Sequence, residues 1–107
     1  MRRRIRRHPA VADDITGTAS YIADNSVRAA IRFVDAVETT LKWLIRHPGA
    51  GALREFDDPR LARVRSWSVQ GFRKHLILYE IEATGIYILA ILHGARDLPR
   101  VLPDRVS

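Results

Sequence analysis

The residues best placed to do chemistry lie together near the C-terminal end, in the stretch His93, Gly94, Arg96 and Asp97. An imidazole titrates close to neutrality and can move a proton, while a guanidinium binds phosphate or carboxylate through two parallel hydrogen bonds. Gly94 adds a flexible backbone position between them. The alternative is structural: His93 satisfied by a backbone carbonyl, and Arg96 paired with Asp97 or with a helix carboxylate. A second set of polar groups, Arg65, Trp67, Arg73, Lys74, His75 and Tyr79, precedes this motif, and Arg100 follows it. The four histidines, at positions 8, 47, 75 and 93, have no metal-ligand spacing, and the chain has no cysteine. Disulfides, thiol catalysis and cysteine-type zinc sites are therefore excluded, and neither a metal nor a cofactor is expected.

The element that must hold the motif is the segment before it. Ile86 to Leu92 is an unbroken apolar run with three isoleucines and Tyr87, too short to span a membrane and rich in β-formers. It reads as a strand buried on both faces and central in its sheet. Two strands precede it, Leu61 to Val69 and Phe72 to Glu82, with Gln70 and Gly71 turning between them. Ala83, Thr84 and Gly85 make the next hairpin. Leu76 and Leu78 on one side, and Ile77, Tyr79 and Ile81 on the other, indicate that both faces of the sheet are at least partly covered.

Upstream, Pro9 suits a first helical turn, and Asp13 and Asp14 lie where the helix dipole favours anions. Val11, Ile15, Ala19 and Ile22 repeat at helical spacing, with Tyr21 beside them, predicting a helix from about Pro9 to Asp24. Asn25 or Ser26 can cap a second helix. Its apolar positions are Val27, Ile31, Val34, Leu41, Leu44 and Ile45, and His47, Pro48 and Gly49 end it. The short joint predicts an antiparallel hairpin, with Arg28, Arg32, Asp35, Glu38 and Lys42 on its solvated side and Trp43 either in the core or at a docking surface. Gly49 to Arg60 reads as loop, where adjacent Asp57 and Asp58 suit a turn. The basic start MRRRIRRH reads as a solvated edge strand, with a nucleic-acid-binding arm as the alternative. The tail after Asp97 reads as one helical turn before Pro103, then fraying.

Together these give an α+β fold with element order β-α-α-β-β-β. The helical hairpin packs on one face of a small, mainly antiparallel sheet, and the first strand lies beside the central one. The length of 107 residues fits a single domain, residues 1–107, and 47% hydrophobic with 28% charged residues argues against a disordered chain. No secretory signal is read at the start, so a cytoplasmic location is expected. The net charge of +6, with 16 of 18 basic residues Arg, favours an anionic partner: nucleic acid, an acidic protein segment or a membrane surface. The eight aromatic residues are not interleaved with the Arg clusters, which leaves single-strand readout by a nucleic-acid module unsupported.

Three segments carry a family resemblance. Pro9, Ala10, Ala12, Asp13, Asp14, Ile15, Tyr21 and Ile22 form the first; Val64, Arg65, Ser66, Trp67, Gly71, Phe72 and HLILYEI the second; ILHGARDL the third. In this order and spacing the chain resembles toxins of the RelE/ParE superfamily of type II toxin–antitoxin systems, the ParE branch more than the RelE branch. The resemblance covers Met1 to about Leu102. It implies a toxin that forms a hetero-oligomer with a cognate, ParD-like antitoxin. The target it implies is DNA gyrase, reached by protein contact, with no membrane involvement and nucleic acid only indirect. The implied antitoxin- or target-binding candidates are Arg65, Trp67, Arg73, Lys74, Arg96 and Arg100. The alternative is a RelE-like, ribosome-dependent mRNA endoribonuclease, which needs a base, a cation for the phosphorane charge and an acid. Arg65, Arg73, His93 and Arg96 would then be catalytic. The tyrosine such enzymes often carry a few residues after this arginine falls on Leu98 to Leu102, which holds no Tyr, His or Lys. That departure favours a toxin that is not itself an enzyme.

Overall fold

A computed structural model describes residues 3–106; Arg2 of the basic start lies outside the described residues. Strand β1 (Arg4–Arg7) leads into helix α1 (Val11–Ala23) and helix α2 (Val27–Arg46). The short strand β2 (Ala52–Leu53) follows, then β3 (Arg65–Val69), β4 (Phe72–Glu82) and β5 (Gly85–His93), and a single helical turn, α3 (Leu98–Val101). The five strands form one sheet in the order β1-β5-β4-β3-β2. β1 runs parallel to β5, with Arg4 opposite Gly85 and Arg7 opposite Ile88, and the other pairs are antiparallel. The expected α+β architecture and the placement of the first strand are both present.

Local chemistry explains the boundaries. The Ala10 amide donates to His8 Nδ1 at 3.0 Å and the Val11 amide to the His8 carbonyl at 2.9 Å, so Pro9 and Ala10 form a turn and the helix starts at Val11. Ser26, not Asn25, caps α2, its hydroxyl accepting the Ala29 amide at 3.1 Å. Gly71 at φ 80° supplies the left-handed turn position between β3 and β4. Gly85 permits β1 to approach, since a Cβ there would collide with the Arg4 carbonyl. The first strand is exposed, as its charge requires. Arg7 is bidentate on Glu38 at 3.0 and 2.7 Å, and Arg6 lies 4.4 Å over the Tyr87 ring while its guanidinium grips Glu82. Those bonds hold both carboxyl groups below their ordinary range.

Two apolar layers flank the sheet. Phe33, Val37, Leu41 and Leu44 of α2 and Val11 of α1 pack on Ile77, Tyr79, Ile86, Ile88 and Ile91. On the other face Leu61, Val64, Leu98 and Leu102 cover Leu78, Leu89, Ala90 and Leu92. The tail therefore docks rather than frays. Leu61 belongs to a 3-10 turn, Pro59–Leu61, and plugs this second layer, so the strand expected from Leu61 begins only at Arg65. Val27, Ile31 and Val34, expected in the core, are 65%, 58% and 38% exposed. The stripe of α2 that meets the sheet runs through Ala30, Phe33, Val37, Leu41 and Leu44 instead.

Strand β5 is central only over its first half. β1 stops at Arg7, and His8 donates to the Ile88 carbonyl at 2.9 Å. Beyond that point a bulge at Leu89 breaks the register with β4, and the outer edge is covered by side chains. Asp14 of α1 accepts the Ile91 amide at 3.0 Å, and Arg105 of the tail donates to the Leu89 carbonyl at 2.9 Å. Arg105 and Asp14 also bind each other at 2.9 and 3.0 Å with their side chains 13% and 8% exposed.

Candidate functional site

The end of β5 and the facing part of β4 place the polar motif beside α1. His75 and His93 are direct cross-strand partners, ring centroids 5.2 Å apart and nearly perpendicular. His75 also lies edge-on to Phe33 at 5.2 Å and Phe72 at 6.3 Å. Burial, followed by the neighbouring His93, lowers the His75 pKa and so favours its neutral ring. His93 is exposed, and its Nδ1 accepts the Ala95 amide at 3.0 Å, which leaves the proton of the neutral ring on Nε2. Among the described residues no carbonyl satisfies it.

Gly94 donates to the Lys74 carbonyl at 2.7 Å, and a Cβ there would meet Leu76 Cδ1 and that carbonyl only at 3.4 Å, so the turn does not demand glycine sterically. Asp97 precedes α3 without a side-chain cap; its carbonyl accepts the Arg100 and Val101 amides. Arg96 is exposed and, among the described residues, bonds neither Asp97 nor a helix carboxylate. The guanidinium that holds the α1 carboxylate of Asp14 belongs to Arg105. Arg96, His93 and His75 line a crevice of about 630 Å³ whose opposite wall is α1, with Asp13, Gly17 and Tyr21. Tyr21 and Gly17 carried no functional reading in the sequence. A glycine in the middle of an otherwise regular helical pattern is the signal that could have pointed there.

The other candidates lie elsewhere. Arg65 is half-buried and donates to the Gly51 carbonyl at 2.7 Å and to that of Gly49 at 3.4 Å, which fastens the loop before β2. Tyr79 is fully buried; its hydroxyl donates to the Pro48 carbonyl at 2.6 Å and accepts the Gly51 amide at 2.9 Å, and burial raises its pKa. Neither group is free for a substrate. Trp67 stacks on Trp43 at 5.2 Å and Trp43 on His47 at 4.3 Å, so Trp43 sits at the rim of the core. With Arg73 the two tryptophans line a second crevice of about 450 Å³. Lys74 and Arg100 are exposed. Of the four residues a ribonuclease would need, only His93 and Arg96 share a crevice; Arg73 lines the other and Arg65 is engaged by carbonyls. Among the described residues no group of three or more His, Cys, Asp or Glu side chains is arranged to hold a metal ion, and no helix is long and apolar enough to cross a membrane.

The fold is similar to that of a solved chain of the chromosomal ParDE TA system from P. aeruginosa. The TM-score is 0.67 at 18% identity, covering 85% of this chain and 95% of that one. At such identity the likeness establishes the fold alone. Comparison with curated proteins finds no match. The model of the family described as ParE toxin of type II toxin-antitoxin system, parDE, matches residues 5–98, from the first strand through the polar motif to Leu98. The chain belongs to the ParE toxin family of type II toxin–antitoxin systems.

Proposed function

We propose that this toxin disables DNA gyrase by protein–protein contact and does not cut RNA, and that a ParD-like antitoxin neutralises it in a hetero-oligomer. On this reading residues 1–107 form one toxin domain that works in the cytoplasm without metal or cofactor, and nucleic acid enters only through the gyrase complex. The observation that carries it is dispersal. A metal-free ribonuclease must bring a base, an acid and a cation to one phosphodiester. Here Arg65 and Tyr79 are engaged by loop backbone, and Arg73 is in a different crevice from His93 and Arg96.

What remains accessible suits contact. Trp67, Arg73, Lys74, Arg96 and Arg100 are exposed or half-exposed, and the basic net charge favours an acidic partner segment. The exposed apolar residues Tyr21, Val27 and Ile31 on the helical hairpin offer a helix-binding face for the antitoxin. The test is a pair of assays on the purified chain, supercoiling by gyrase and translation-dependent mRNA cleavage, each repeated with Arg96→Ala. Inhibited gyrase with intact mRNA supports the reading. Cleaved mRNA, abolished by Arg96→Ala, would make the chain a ribonuclease built on the His93 and Arg96 crevice.

A further inference from the structure

The edge of the sheet opposite β1 is incompletely paired. β2 pairs with β3 only at Arg65 and Ser66, yet β3 continues to Val69. Backbone direction alternates along an antiparallel strand, so Ser66 and Ser68 turn their N–H and C=O groups toward the outer edge. Ser66 meets Ala52, and the next outward amide, that of Gln70, donates to the Thr40 hydroxyl of α2 at 3.1 Å. Ser68 lies between these two, at an edge that no strand of the described chain covers. β2 cannot extend to reach it. The Tyr79 hydroxyl binds both Gly51 and Pro48, and the chain before Ala52 is a 3-10 turn, not a strand.

The open edge coincides with the Trp43 and Trp67 crevice. Ser68, Gln70 and Arg73 line it together with both indole rings, and no carboxylate does. Exposed Lys42 and Arg46 flank Trp43 on α2. Four other crevices along the helices and the sheet each include at least one Asp or Glu. An edge amide and carbonyl, a stacked aromatic pair and an unopposed guanidinium together describe a receptor for a short extended chain.

We propose that the β3 edge binds an extended acidic segment of a partner protein, which pairs its backbone with Ser68, seats an apolar or aromatic side chain on Trp43 and Trp67, and places a carboxylate on Arg73. A second copy of this chain is disfavoured, because two such edges would bring like charges together. The site lies on a different element pair from the His93 crevice and does not rest on the gyrase reading.

Trp43 and Trp67 are the only tryptophans, so intrinsic fluorescence reports on this crevice directly. The probe is a short N-acetylated peptide alternating Glu and Val around one Phe, with a Lys-for-Glu peptide as its counterpart. The acidic peptide is expected to give a saturable change in emission, and the Lys peptide none. Ser68→Pro removes the outward amide from an edge position where proline is tolerated, and Arg73→Glu reverses the charge. Each is expected to weaken binding by about tenfold or more, with far-UV circular dichroism unchanged. No saturable response to the acidic peptide overturns the proposal. An equal response to the Lys peptide does so too, as does undiminished binding by Arg73→Glu.

Discussion

Replacing Arg105 by Met removes the clasp that joins the tail, α1 and the open half of β5. Its guanidinium makes three bonds, two to Asp14 and one to the Leu89 carbonyl, in a site where both charged side chains are nearly buried. Deleting one partner of a buried pair costs about 3–5 kcal/mol, because the remaining charge stays desolvated. Asp14 keeps the Ile91 amide as a donor, which places the loss at the lower end, about 3 kcal/mol. Against a total stability on the order of 5–15 kcal/mol this is a large fraction, and at about 4 °C per kcal/mol it lowers the melting temperature by about 12 °C. Urea unfolding followed by far-UV circular dichroism measures it, with Asp14→Ala and the double variant completing a cycle whose coupling isolates the pair. A loss below about 1 kcal/mol would refute the reasoning, since it would place the pair among exposed ion pairs that contribute little. Truncation after Leu98 should cost more than Arg105→Met, because Leu102 leaves the second apolar layer as well.

Three further outcomes follow from the same geometry. The lowered pKa of His75 means that the unfolded chain takes up a proton first; stability is therefore complete above about pH 6.5 and declines as pH falls below it. His75→Gln should flatten that decline in denaturant titrations between about pH 7 and 5 and leave the separate loss from Glu38 and Glu82 at lower pH; an unchanged profile would remove His75 as its source. Tyr79→Phe leaves the Gly51 amide and the Pro48 carbonyl without their partner and should cost about 1–3 kcal/mol in thermal unfolding. Gly17→Ala meets nothing within 4 Å and should stabilise the fold by about 0.5–1 kcal/mol, and a loss of stability would contradict the open crevice there.

The order of the four longer strands was legible because Ile86 to Leu92 is apolar on both faces, whereas the two-residue strand Ala52–Leu53 lies inside a stretch that reads as loop and was not. The helical hairpin was legible from spacing, but its buried stripe was not. α2 carries apolar residues on two adjacent sides, and periodicity alone cannot decide whether Val27, Ile31 and Val34 or Ala30, Phe33 and Val37 meet the sheet. The tail was misread because its anchor, Arg105, finds Asp14 at a separation of 91 residues, a pairing no local pattern encodes. The bulge at Leu89, whose carbonyl Arg105 binds, is equally silent in a uniformly apolar run. At the candidate site, His93 and Arg96 were found by type and spacing. Their partner His75 was recognisable only as a member of the second polar set, and Arg65, chemically apt for phosphate, is engaged by the Gly51 carbonyl.

The most direct test of the central claim titrates purified chain into a gyrase supercoiling reaction and then adds the cognate antitoxin. The account expects supercoiling to be lost as the chain approaches gyrase concentration and restored by the antitoxin. Undiminished supercoiling in the presence of excess folded chain would contradict it.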